Sequence, residues 1–123
     1  MKTIFRIGRI AYGGFFLFSS LNHFLKTREM AGYAGSKGVP LPDAAVLGSG
    51  ALLAFGGTSL IAGQRPDLGG AAIALFLSSV SPMMHNFWAV PPEQKQNEMI
   101  HFSKNMALLG AALCIAAARE PRD

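Results

Sequence analysis

Three histidines, four asparagines, one lysine and the sole tryptophan gather at matching ends of four apolar stretches: His23, His85 and His101; Asn22, Asn86, Asn97 and Asn105; Lys104; and Trp88. Imidazole exchanges protons near neutral pH, while amide and ammonium groups donate hydrogen bonds to carbonyl oxygens. Such a set could hold a polar headgroup or relay a proton. Helical spacing sharpens the pattern. Ser19, Asn22 and His23 fall at i, i+3 and i+4, and Ser78, Ser81 (or Pro82) and His85 repeat that spacing. Asn97, His101, Lys104 and Asn105 continue it as a polar stripe. Turned inward, the three faces would line a small polar pocket just beneath one membrane surface. The competing reading is structural. These residues would then cap helix ends, meet lipid headgroups or tie helices together, with Trp88 in an aromatic belt. His101 and Asn105 resist it most, because they lie inside the fourth apolar stretch and polar groups in lipid are costly.

Metal binding is the weaker use of the histidines. The ligands would come from three helices, and no HxxxH or HxxH pair places two on one helix. Catalytic-triad, P-loop and dinucleotide patterns are absent. Gly13-Gly14, Gly56-Gly57 and Gly69-Gly70 read as packing glycines, not phosphate cradles. No catalytic residue is therefore named.

The elements that position this set are the stretches Ile7–Leu25, Ala44–Gly63, Leu68–Met84 and Met99–Ala118. Each is close to the roughly 20 residues that a helix needs to cross hydrocarbon. Half of the 123 residues are hydrophobic, 15% are charged and the mean hydropathy is +0.31. The second and third stretches carry no charged residue inside, so in water they would expose large apolar patches. The sequence predicts one all-α domain over residues 1–123, an integral membrane four-helix bundle with antiparallel neighbours. Its helices are expected near residues 5–25, 44–63, 68–84 and 97–118. The basic, apolar start is read as a retained first helix, since no small-residue cleavage site follows it.

Three connections complete the expectation. Lys26–Asp43 holds a short interfacial helix over Arg28–Ser36, with Met30, Tyr33 and Ala34 spaced to touch lipid or the top of the bundle and Gly38 at its end. Asp43 and Asp67 are candidate N-caps, and Gly63 a left-handed C-terminal residue. Small residues at four-residue spacing suggest packing seams: Gly50, Ala54, Thr58 and Ala62; Gly70 and Ala74; Gly110, Cys114 and Ala118. Cys114, alone, is expected to be a buried packing residue and can form no internal disulfide. The formal charge of +4 is dispersed without an aromatic-basic patch, which points to lipid headgroups and away from nucleic acid. Lys2, Arg6, Arg9, Arg65, Arg119 and Arg122 outweigh Lys26, Arg28, Lys37, Lys95 and Lys104 across the membrane. The balance favours cytoplasmic termini and an outward-facing polar cluster.

The opening RIGRIAYGGFFLFSSLNHFLKTREMAGYAGSKGVPLPD, with Asn22-His23-Phe24 at its helix end, resembles the DoxX family of small bacterial membrane proteins. The later HNFWAVPPEQKQNEMIHFSKN, with Gln96–Asn105 as its second motif, fits the same family. The resemblance implies a four-helix protein of the bacterial inner membrane. Relatives are linked to thiosulfate–quinone oxidoreductase subunits, to sulfur and oxidative-stress complexes, and to resistance against quinones and electrophiles. It supplies no catalytic residues to carry over.

Two functions follow. In the first, a redox-associated subunit receives a quinone-like cofactor in a pocket of Asn22, His23, His85, Asn86, Trp88, His101, Lys104 and Asn105. Any enzyme activity is then that of a quinone-linked oxidoreductase subunit. In the second, the protein is a non-catalytic scaffold for such a complex. Lipid, an oxidoreductase partner subunit and a second copy of the chain are the partners considered. Cysteines introduced at Lys37 and Gln94, on a Cys114-free background, should react with an impermeant thiol reagent in intact spheroplasts. Labelling at Arg65 instead would reverse the orientation.

Overall fold

The computed structural model describes residues 2–118. Arg119 and Arg122, counted in the charge balance, lie outside them. The described chain is helical throughout: α1 (Lys2–Leu25), α2 (Thr27–Ser36), α3 (Pro42–Ala62), α4 (Pro66–Met84), a single 3-10 turn (Phe87–Ala89) and α5 (Pro92–Ala117). No strand occurs among the described residues. The interfacial helix expected in the first connection is α2.

The helix boundaries have local causes. Lys26 alone separates α1 from α2, and the Thr27 hydroxyl lies 2.6 Å from the His23 carbonyl and 2.9 Å from that of Phe24. Gly38 ends α2 at φ +84°, with Val39 N–H donating to Ala34 and Gly38 N–H to Gly35. That is the Schellman arrangement, and it requires the left-handed residue. Gly63 closes α3 with another left-handed residue, at φ +72°, where the Gly63 and Gln64 N–H groups both donate to the Ser59 carbonyl. Helices α3 and α4 both start at proline, preceded by left-handed Leu41 and Arg65. Asp43 and Asp67 thus sit in the first turn, where the helix dipole favours a negative charge, and are not the N-caps the sequence suggested. Proline wins the first position because its fixed φ and missing N–H suit it. The last helix likewise starts at Pro92, five residues before the expected 97.

Phe16 of α1, Leu53 and Leu60 of α3, Ile73, Ala74 and Leu77 of α4, and Ala112 of α5 form one core. Helix α1 packs on α3, α3 on α4, and α4 on α5, while α2 packs on α3. Tyr12 of α1 donates its hydroxyl proton to the Leu108 carbonyl of α5. The buried residues of α1, Arg9, Gly13, Phe16, Ser20 and His23, recur at alternating spacings of four and three. Val46, Gly50, Leu53, Gly57 and Leu60 do so on α3. This is the repeat that lets two helices keep one seam in contact.

Glycine sets the closeness of that seam. A Cβ on Gly57 would lie 2.7 Å from the Gly13 carbonyl oxygen, and one on Gly13 would lie 2.8 Å from that of Gly57. A Cβ on Gly70 would meet the Ala112 oxygen of α5 at 2.9 Å. Both are backbone clashes that no rotamer relieves. At the far end of the seam the buried Arg9 guanidinium donates to the Leu60 carbonyl, one of the last four of α3. A cation there offsets the helix dipole and supplies a donor to an otherwise orphan acceptor.

Two expected seams are corrected. Thr58, Ala62, Gly110, Cys114 and Ala118 are exposed. A Cβ on Gly110 would meet nothing within 4 Å, and Cys114 is neither buried nor a packing residue. The buried positions of α5 are Glu98, Asn105 and Ala112, seven residues apart. Small residues permit close approach only on the side where a partner helix runs, and on α5 that side is the Ala112 side.

Helices α3 and α5, together with Pro66–Ala89, are long and apolar enough to cross a membrane. Helix α1, with Arg6, Arg9, Asn22 and His23, is not among those three. Gly57→Leu should lower the melting temperature in detergent sharply, since overpacking a tight contact costs about 1–3 kcal/mol. Gly110→Leu should leave melting unchanged.

Candidate functional site: an apolar cavity beside a polar cluster

His23 ends the α1 seam, where its Cβ faces Gly50 so closely that a Cβ on Gly50 would lie 2.9 Å away. Its Nδ1–H donates to the Ser19 carbonyl at 2.8 Å, one helical turn back. The ring stands edge-on to Phe76 of α4, with centroids 5.7 Å apart. Backbone and neighbours therefore hold it in one orientation.

Above it lies a cavity of about 590 Å³ between α2, α3 and α4. Met30, Tyr33 and Ala34 of α2 line it, which settles on the bundle side the three residues whose spacing alone leaves lipid or the bundle top open. Val46 and Leu52 of α3 and Phe76, Val80 and Met83 of α4 add apolar wall. Its polar groups are His23, Glu29, Tyr33, Ser49 and Ser79. Such a volume, mostly apolar with few polar groups, is the usual form of a small-molecule site.

The second feature adjoins it at the turn between α4 and α5. His85 Nδ1 lies 3.0 Å from Oε2 of the buried Glu98. His101 stacks on His85 with ring centroids 5.0 Å apart and planes 21° apart. Lys37, just past α2, donates to the Asn86 side-chain oxygen at 3.3 Å and lies 5.8 Å from the centre of the Tyr33 ring. Burial and the negative charge of Glu98 raise the Tyr33 pKa above its ordinary value. Tyr33 is thus shared by the two features: it lines the cavity and feels Glu98.

Of the eight residues chosen from sequence, only His23 lines the cavity. His85, Asn86 and His101 join the polar cluster. Trp88 is exposed and packs edge-on with Phe87 and Phe102, at 5.1 and 5.8 Å. Lys104 is exposed, Asn22 half-buried and Asn105 buried; none of the three lines the cavity. Ser78 and Ser81 spend their hydroxyl protons on the Ala74 and Leu77 carbonyls of their own helix. Glu98 was hidden in the hydrophilic run EQKQNE, although its i, i+3, i+7 register with His101 and Asn105 marks it. Lys37, Glu29 and Ser79 carried no comparable signal. Among the described residues no group of three His, Cys, Asp or Glu side chains is placed to hold a metal ion.

Long apolar helices around one core, with large apolar residues such as Phe55, Leu75 and Leu113 exposed on them, define a multi-pass membrane protein. The DoxX family profile matches residues 4–86, two-thirds of the chain, and the chain belongs to that family. The match covers α1 to α4 and stops before α5. No curated protein and no solved structure matches the chain.

Glu98→Leu should destabilise the protein by about 1–3 kcal/mol, because it strips a polar partner from His85. A double-mutant cycle with His85→Phe should return a coupling energy of about 0.5–3 kcal/mol. Additive melting shifts would mean that the pair does not interact.

Proposed function

We propose that this protein is a redox-associated subunit of the bacterial inner membrane whose cavity receives a quinone-like small molecule. The observation that carries the reading is the cavity itself: about 590 Å³, apolar, and anchored on a fixed histidine. A flat ring with an apolar tail matches its walls, and His23 and Tyr33 are the contacts for the headgroup. His85, Asn86 and His101 brace α2 and α5 beside it. Electron delivery falls to a partner oxidoreductase subunit.

The single domain is read as a four-helix bundle with antiparallel neighbours and cytoplasmic termini, which puts the cavity near the outer face. Contacts support that reading. Arg9 meets Leu60, Gly13 meets Gly57 and His23 meets Gly50, so numbers rise along α1 as they fall along α3. Helix α1 also turns Ile7, Phe15, Phe18 and Leu21 outward, as a fourth lipid-facing helix would.

A scaffold role is the second reading. It is favoured by the polar cluster, whose His85–Glu98 and Lys37–Asn86 contacts are all spent within the chain. Ligand stabilisation separates the two. An added quinone analogue should raise the melting temperature of the wild type, by about 2.7 kcal/mol of stability at about 100 times its Kd. Leu52→Trp, which fills the cavity, should abolish the shift with unliganded melting retained. A wild type that no analogue stabilises is a scaffold.

A further inference from the structure

The cavity wall has a hydrogen-bond polarity as well as a shape. Ser49 donates its hydroxyl proton to the Val46 carbonyl at 3.0 Å, and Ser79 donates to Leu75 at 2.8 Å. Each side-chain oxygen therefore meets the cavity with lone pairs only. His23 commits its Nδ1–H to Ser19, which leaves Nε2 without a hydrogen-bond partner among the described residues and, whenever the ring is neutral, an acceptor. Glu29 adds a carboxylate, and no lysine or arginine lines the space. Tyr33 is the one lining side chain with a hydroxyl proton uncommitted to the backbone.

We propose that the cavity takes a molecule whose polar group donates hydrogen bonds, a phenol or hydroquinone on an apolar body, in preference to the corresponding quinone. The inference rests on the reading of the cavity as a ligand site. A hydroquinone O–H satisfies His23 Nε2 or a serine oxygen. A quinone carbonyl brings only lone pairs, for which the Tyr33 hydroxyl is the single donor, and it leaves the two serine oxygens and His23 Nε2 unpaired, a mismatch that a site selects against. Preference for the reduced form also raises the midpoint potential of the bound couple. Tenfold tighter binding shifts a two-electron couple by about 30 mV.

The test is equilibrium binding to the purified full-length protein in detergent, without oxygen, using decylhydroquinone, decylbenzoquinone and the dimethyl ether of the hydroquinone. The hydroquinone should bind about tenfold more tightly than either of the others. In Ser49→Ala/Ser79→Ala, and separately in His23→Phe, the ratio should fall toward one. Equal or tighter binding of the benzoquinone or the ether by the wild type overturns the inference and leaves the cavity a ligand site. Tighter binding of decylammonium than of the hydroquinone also overturns it, because the Glu29 charge then decides. If no probe binds, the cavity reading itself fails and the inference falls with it.

Discussion

Contact between helix backbones, allowed by glycine, is the constraint on which the other distances in this protein depend. Lipid tails are as apolar as leucine, so burial gives membrane helices little reason to associate with one another. What remains is dispersion, which needs closely packed atoms. Gly13 against Gly57 and Gly70 against Ala112 supply that closeness at two interfaces. The effect extends along each seam. Because α1 and α3 touch at Gly13 and Gly57, Gly50 further along α3 can accept the His23 side chain, and Arg9 can reach the end of α3. A wider spacing would take the Leu60 carbonyl out of reach of the Arg9 guanidinium.

The same seam explains why the cavity exists. Helix α2 turns off α1 after a single residue and packs on α3, so it roofs the space beside His23 without filling it. The walls that α3 and α4 present there are Val46, Leu52, Phe76 and Met83, not glycines. Side chains of that size hold helices apart, whereas Gly56 and Gly69, lower on the same two helices, let them close. One pair of helices is therefore tight at one end and open at the other.

Much of this was legible in the chain, and the gaps have physical causes. Four apolar runs and the short helix in the first connection follow from composition and spacing, whereas spacing alone leaves Met30, Tyr33 and Ala34 to touch either lipid or the bundle. The left-handed endings at Gly38 and Gly63 follow from glycine itself. Helix starts slipped at Pro42 and Pro66, because aspartate and proline both suit the first turn and proline outranks a cap, and α5 starts at Pro92 because the polar run over 93–98 is itself helical. The stripe of Gly110 and Cys114 misled because size says how near a neighbour can come, not on which side it lies. For the site, a shared membrane face is a statement about depth alone. Convergence needs rotation about each helix axis, and that is set by seams: His23 turned inward with the α1 repeat, whereas Lys104 and Trp88 did not.

The two features at this end of the molecule differ in how their polar groups are satisfied, and that difference separates architecture from recognition. In the cluster, the hydrogen bonds close within the chain, His85 with Glu98 and Asn86 with Lys37, while His101 stacks on the face of His85. Groups matched in this way stiffen a turn but offer little to a ligand. In the cavity the satisfaction is one-sided. Ser49, Ser79 and His23 have given their protons to backbone carbonyls and keep their lone pairs. A bundle that needed only glue would gain from pairing those acceptors across helices, as it does at Tyr12 and Leu108. Acceptors left open along an apolar wall are what the proposed ligand would satisfy, and Tyr33, which lines that wall, is also the residue whose hydroxyl feels the Glu98 charge.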